Sequence, residues 1–490
     1  METGAPGKGV DDALMQDRGS ITVELLIAFA VFTLVLTAII LVEGSNDAAS
    51  LGIEADELSI AQSAIATLQH EPYLDVVSSS HTETFNGYAY TVMITVVDQT
   101  ACVKEVTVAV EREGGAFGQT VSLHTTLTDA EGTRDNGGDC GALSATWSDL
   151  LIGASISLPG MIATEIDGIG DRLYLGLATA PYFAVIEDGE AVSLPGSFAL
   201  PAKVVALDAV TLPEDSGTYH DYIYAALATT SPGQIAIIDA GDIAHPTYIT
   251  KSFAGVTSTT TAAEGALVKY HGEKLYATNG YIINTQPELH IFDASAPDSP
   301  YEIANANINT SVRDMVIRDE GSATYLYAAT ANIDKELAVY AVTNPFAVPT
   351  IPAAVSAFNG DIGGDGGKSL ALRGNTLYFG RASNTDGPEF YTFDISTISP
   401  ALSPIGSGEV TQKDVSQILL LGNTALLSAA FAATQSTRRI ELWDVSSTTA
   451  PVKNHTYPFA SMVVAGLELI GDIVYVAKEG EPILTSYSPL

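Results

Sequence analysis

The chain has 490 residues, 46% of them hydrophobic and 16% charged, which is enough for two or more cored domains and too long for one small compact one. Its 58 acidic and 21 basic residues give a formal charge of -37, which repels phosphate backbones and anionic head groups and excludes nucleic acid as an expected partner. So much acid reads as a solvated surface, with cation binding as the sharper alternative.

From Ile21 to Val42 the sequence is apolar except for Thr22, Glu24, Thr33 and Thr37. These 22 residues, at about 1.5 Å each, match the roughly 30 Å hydrocarbon core and predict a transmembrane helix. A secretory signal would place its small cleavage-site residues after the apolar run, whereas Gly19 and Ser20 come before it. Glu24 stands at the front of the run. A carboxylate costs about 2.5–3.5 kcal/mol at mid-membrane, so it needs a partner there, or a place near the head groups where it favours the helix dipole.

The stretch "DRGSITVELLIAFAVFTLVLTAIILVEG" resembles the class III signal of type IV prepilins and pseudopilins. The resemblance implies cleavage by a prepilin peptidase between Gly19 and Ser20, leaving Glu24 as the fifth residue of the mature chain. It also implies that Glu24 docks on the new α-amino group of a neighbouring pilin subunit, after a stage in the inner membrane. The leader, 1–19, departs from the basic leaders of that family: Lys8 and Arg18 face Glu2, Asp11, Asp12 and Asp17, and Met15 is a second candidate start.

Past the membrane, Leu51, Ala55, Leu58, Ala61, Ile65 and Leu68 recur at three- or four-residue steps and predict an amphipathic continuation ending near Pro72. One helix over 20–70 is expected, with Gly44 and Gly52 as points where it can bend. The region 71–140 holds three β-rich runs in "YAYTVMITVVDQTACVKEVTVAVEREGGAFGQTVSLHTTLT", broken at "DQT" and "EGGAFGQ". This helix-then-sheet order is similar to a pilin head. Cys102 and Cys140 are too few for a disulfide scaffold but suit one staple in an exported domain, worth roughly 3–4 kcal/mol, with two free thiols as the alternative.

The segment from Asp129 to Asp149 is rich in Gly, Asp, Ser and Thr and marks a boundary, with 141–148 as the linker. Beyond it, from 149 to 490, the chain repeats. Tyr174, Tyr224, Tyr276, Tyr327, Tyr378, Leu426 and Tyr475 occupy one aligned position, at steps of 50, 52, 51, 51, 48 and 49. Each copy reads as an apolar strand, a tight Gly-Asn or Gly-Asp turn, an "LY" strand and a third strand closing on Asp and a Pro-rich turn, with room for a fourth. Four short strands per unit is the layout of a β-propeller blade, so seven blades are predicted. The seventh copy is one strand short, and "DLLIGASISLP", Asp149 to Pro159, is expected to supply it and close the ring. "IAIIDAGDIAHP", "LHIFDASAPDSP", "FYTFDISTISP" and "IELWDVSSTTAP" resemble the repeats of LVIVP-type propellers, while the fourth copy carries Ala341 in place of the aspartate.

Chemistry is harder to find. Asp239, Asp293, Asp394 and Asp444 hold the same place in their own copies, which points to turn capping rather than metal binding or catalysis. "GGDGGKS", 363–369, lacks the glycine that a phosphate loop needs at Ile362, and no helix is expected after it. Asp361 and Asp365 lack the alternating oxygen ligands of an EF-type calcium loop. The eight histidines are scattered and no Gly-x-Ser-x-Gly elbow occurs, so no catalytic, cofactor or metal residues are expected.

The predicted fold class is therefore multidomain: a long transmembrane and amphipathic helix with a small antiparallel sheet, a pilin-like α+β unit, followed by an all-β seven-bladed β-propeller. The expected function is that of a non-enzymatic minor or tip pilin displaying the propeller outside the cell to an unknown extracellular ligand. The alternatives are an anchored surface enzyme acting on an extracellular polymer, which clustered acids with shifted pKa values in the central channel would favour, and a pseudopilin of a secretion or DNA-uptake machine.

Overall fold

The computed structural model describes residues 57–65, 68, 78–112 apart from 101–102, 120–128, 147 and, apart from short connecting stretches, 149–489. Among these no helix is long and apolar enough to cross a membrane. Residues 21–42, Gly19, Ser20, Glu24, Cys102 and Cys140 all lie outside the described residues. The molecule falls into two compact units, the first drawn from Met1–Asp98 and Lys104–Leu127 and the second from Gln99–Val103 and Thr128–Leu490.

In the first unit, residues 57–65 are helical. Ile60, Ala61 and Leu68 are buried against Tyr90, Val92 and Ile94 of one strand and Val106, Val108 and Val110 of the next. The three-to-four residue step of the helix thus meets the two-residue step of each strand, as a single buried face requires. The sheet has four strands rather than the expected three: Ser79–Phe85, Tyr88–Thr100, Val103–Arg112 and Thr120–Thr128, paired in chain order. The first was hidden because "SSHTETF" is mostly exposed and has no apolar alternation. Its turn is nevertheless explicit, since Asn86 and Gly87 take φ of 50° and 81°, which Asn-Gly accepts at low cost between paired strands.

Among the described residues the second unit contains seven four-stranded antiparallel sheets, here sheets I to VII, and is propeller-like. Their first, inner strands are Ala163–Ile169, Val204–Pro213, Gly265–His271, Val312–Glu320, Gly367–Arg373, Asp414–Leu421 and Val464–Ile470. Each inner strand touches the inner strands of both flanking sheets, and that of sheet VII touches that of sheet I, so the sheets form a closed ring. Sheet VII is completed by Leu150–Ile156, which pairs antiparallel with Leu484–Pro489. The segment singled out for this purpose therefore does it, over a slightly shorter span. Closure leaves sheet VII without an unpaired third strand.

Repetition also explains the core. Tyr174, Tyr224, Tyr276, Tyr327 and Tyr378 are all buried on second strands, packed among apolar residues of neighbouring sheets. Gly170, Gly272, Gly374 and Gly422 turn the chain from inner to second strand with positive φ, as a tight hairpin demands. The first copy is the least regular, its fourth strand being only Glu190–Ala191.

Candidate functional site

Three polar systems stand out in the ring. The aspartates ending the third strands form the first. Asp239 accepts a hydrogen bond from the amide of Gly241 at 2.9 Å, Asp293 from Ser295 at 3.0 Å, Asp394 from Ser396 at 2.9 Å and Asp444 from Ser446 at 2.9 Å. Each is the same two-residue Asx turn. Hydrogen bonds from these serines hold the Asp293, Asp394 and Asp444 carboxyls below their ordinary range. Among the described residues no cluster could hold a metal ion, and the loop carrying Asp361 and Asp365 lies outside them.

The second system precedes the third strands. Gln234, Glu288, Glu336 and Glu389 occupy one aligned position and are all buried. Each receives a backbone N–H from the segment leaving its own sheet: Phe253 to Gln234 at 3.4 Å, Ile308 to Glu288 at 2.8 Å, Gly360 to Glu336 at 3.0 Å and Val410 to Glu389 at 3.0 Å. Between sheets IV and V the device carries a cation as well, because Arg381 at the end of Thr376–Arg381 donates to Glu336 at 2.7 Å and to the carbonyl of Gly360 at 2.9 Å. Both side chains are fully buried. A Cβ at Gly360 would lie 2.8 Å from both Arg381 Nη1 and Glu336 Oε2, so any larger residue there would have to push the charged ends of the pair aside. These positions are legible in the sequence as a Glu/Gln directly before the third strand of sheets II to V, a weaker signal than the aspartates that end those strands.

The third system lies on the inner strands. Asp167 of sheet I accepts the amide of Ala209 in sheet II at 2.6 Å, and Asp208 of sheet II accepts that of Tyr270 in sheet III at 2.6 Å. Asp314 of sheet IV likewise accepts the amide of Leu370 in sheet V at 2.7 Å. Carboxylates thus satisfy edge N–H groups of the next inner strand, which no fifth strand covers. Asp208 also pairs with Lys269 at 2.6 Å. Glu165 and Asp314 hold the same register position, immediately after the bulge in their inner strands.

Both side chains are half-buried, each on an inner strand that is flanked by the inner strands of the neighbouring sheets. Burial pushes the Glu165 carboxyl up to about 8, with the charges of Asp167 and Asp314 adding and Lys269 opposing. Burial likewise pushes Asp314 up to about 6 against its own amide bonds. A carboxyl whose folded pKa exceeds its unfolded value favours folding fully below the unfolded pKa and loses that contribution as pH rises through the folded one. Stability should therefore fall as pH is raised from about 4.5 towards about 8, the window set by Glu165. In Glu165→Gln, urea unfolding compared at the two ends of this window should show a clearly smaller loss; an unchanged loss would place the proton elsewhere.

Between sheets III and IV lies a cavity of about 300 Å³. Its walls come from the segment linking the two sheets, with Asn307, Ile308 and Asn309, and from the turn between the second and third strands of sheet IV, with Asn332 and Lys335. Ala338 and Tyr340 of the third strand complete it. Sequence reasoning missed it because no motif marks a space formed between consecutive copies.

No family model matches the chain, and no curated protein matches it. Solved structures resemble it at low identity. A mitotic checkpoint complex structure gives a TM-score of 0.45 at 11% identity, over 71% of this chain and 92% of that one. A proposed 6-phosphogluconolactonase of Bacteroides fragilis gives 0.42 at 13%, over 65% and 86%. Sqt1 of Chaetomium thermophilum gives 0.43 at 11%, over 69% and 88%.

Proposed function

We propose that the chain is a type IV pilin-like subunit, at a minor or tip position, that displays a seven-bladed propeller outside the cell for adhesion or partner recognition. The observation that carries this reading is the spacing of Gly19, Ser20 and Glu24 ahead of an apolar run of membrane-spanning length. The helix packed on a four-stranded meander in the first unit is compatible with a pilin head. The bulk of seven further sheets favours a minor or tip place, because a domain of that size on every subunit would crowd the sides of a filament. The partners are then a prepilin peptidase, other pilin subunits through the N-terminal helix, the inner membrane before assembly, and an extracellular ligand. Cys102 and Cys140 would bridge in that oxidising setting. Glu24→Ala should be cleaved yet lost from sheared filaments, because a bare methyl cannot neutralise a neighbour's amine in lipid. Filament fractions holding the variant at wild-type level would remove the docking role.

A second reading, an anchored surface enzyme acting on an extracellular polymer, is favoured by Glu165 and Asp314. Two carboxyls near the centre of the ring, both pushed upward, offer a protonated and an ionised acid near neutral pH. Polymer cleavage by the wild type that disappears in Glu165→Gln would favour it over pure display.

A further inference from the structure

The cavity between sheets III and IV has an unusual polar balance, which follows from its turns. Asn307 Oδ1 accepts the amide of Asn309 at 2.9 Å, and Asn332 Oδ1 accepts the amide of Asp334 at 2.8 Å. Each asparagine therefore has its oxygen oriented into a local Asx turn, which leaves its NH2 group, a donor only, facing away from that turn. The hydroxyl of Thr330 is also occupied, donating to the carbonyl of Lys335 at 2.6 Å and accepting the amide of Asn332 at 3.1 Å. The lining still offers acceptors in the second lone pairs of the asparagine oxygens and in the Thr310 hydroxyl, and the groups that make no hydrogen bond among the described residues are donors: Asn307 Nδ2, Asn332 Nδ2 and the Lys335 ammonium.

Charge points the same way. No carboxylate stands among the described residues lining the cavity, in a chain whose formal charge is -37. Glu288, under the same loop, has one oxygen committed to the amides of Ile308 and Asn309 at 2.8 and 3.3 Å. Among the described residues Lys335 has no ion-pair partner. Asp334 beside it and the Glu288 carboxylate behind Tyr340 are the nearest opposing charges, and an exposed ammonium flanked by two NH2 groups attracts an oxyanion in spite of them.

Size and the remaining wall narrow the class further. About 300 Å³ is at the lower end for small-molecule sites and suits one sugar ring rather than a folded peptide. Ala338, Ile308 and the buried Tyr340 give an apolar wall that one face of a pyranose can cover. We propose that this cavity is a binding site for an acidic sugar unit, its carboxylate or sulfate held by Lys335 and the two asparagine NH2 groups. The proposal deepens the recognition role given above and rests on it only for where the ligand is met.

The test is calorimetric titration of the full-length protein, in a detergent without sugar head groups, with sodium glucuronate, glucose 6-sulfate and glucose. The expected result is binding of at least one acidic sugar, at least tenfold tighter than glucose. Binding of only one identifies whether carboxylate or sulfate is the anion. Lys335→Gln should weaken the acidic sugar about tenfold or more without lowering the melting temperature, and Lys335→Arg should retain it. Binding of neither acidic sugar, no acidic sugar bound more tightly than glucose, or an unaffected Lys335→Gln would overturn the proposal. Glu24→Ala should bind the sugar as wild type does, so failure of the filament reading and failure of this site give different results.

Discussion

Replacing Arg381 by Met should lower the unfolding free energy by about 3–5 kcal/mol, because it leaves the fully buried Glu336 carboxylate without its cation. Glu336 would retain the amide of Gly360 at 3.0 Å, which is too little to solvate a charge in the interface between sheets IV and V. The pair itself need not be strongly stabilising, since desolvation of two ions offsets much of their attraction. Hence the double variant Arg381→Met with Glu336→Leu should recover most of the loss. Denaturant unfolding of the two single variants and the double variant measures this directly. A double variant as unstable as the sum of the singles would show that the site depends on the ions and not merely on their mutual neutralisation.

The second large effect is expected at the closure. Leu150–Ile156 is held by its ladder to Leu484–Pro489 and by contacts that reach into sheet VI. The Tyr457 hydroxyl donates to Asp149 and accepts the amide of Leu150 at 2.9 Å, while Thr424 donates to the carbonyl of Trp147 at 3.1 Å. Trp147 is 3% exposed and packs with Leu442, Val474 and Tyr487. Trp147→Ala should therefore cost about 3–5 kcal/mol on its own. Deleting Leu150–Ile156 should cost more and promote self-association, because it uncovers the edge of Leu484–Pro489. Light scattering and thermal unfolding read both effects. Appending the deleted strand after Leu490 through a short flexible linker should restore a monodisperse ring, since pairing, not chain order, closes it.

The parts of this fold that were legible in the sequence are those where one interaction is repeated. The aligned tyrosines, with Leu426 in the sixth copy, reveal the number of sheets, because each second strand places a large side chain between the same neighbours. The Asx aspartates were legible for the same reason, and Ala341 shows that one copy dispenses with the side chain. The missing strand of the last copy pointed to Leu150–Ile156, because an unpaired edge demands cover. The first strand of the small sheet was overlooked because Ser79–Phe85 has no buried face, although the Asn86-Gly87 turn announced it. Arg381 and the donor-lined cavity depend on what two neighbouring copies bring together, and spacing within one copy carries no trace of that. The raised pKa values of Glu165 and Asp314 come first from burial, with Asp314 and Lys269 of other sheets acting on Glu165 and the Leu370 amide of sheet V on Asp314, so they too depend on the assembled ring.

The central claim is that the N-terminal segment is processed and then used for assembly. Intact-mass analysis of the protein recovered from its native cell envelope tests it most directly. The account predicts a mature chain beginning at Ser20, whereas a mature population that still carries residues 1–19 would contradict it and leave the ring of sheets without a filament to stand on.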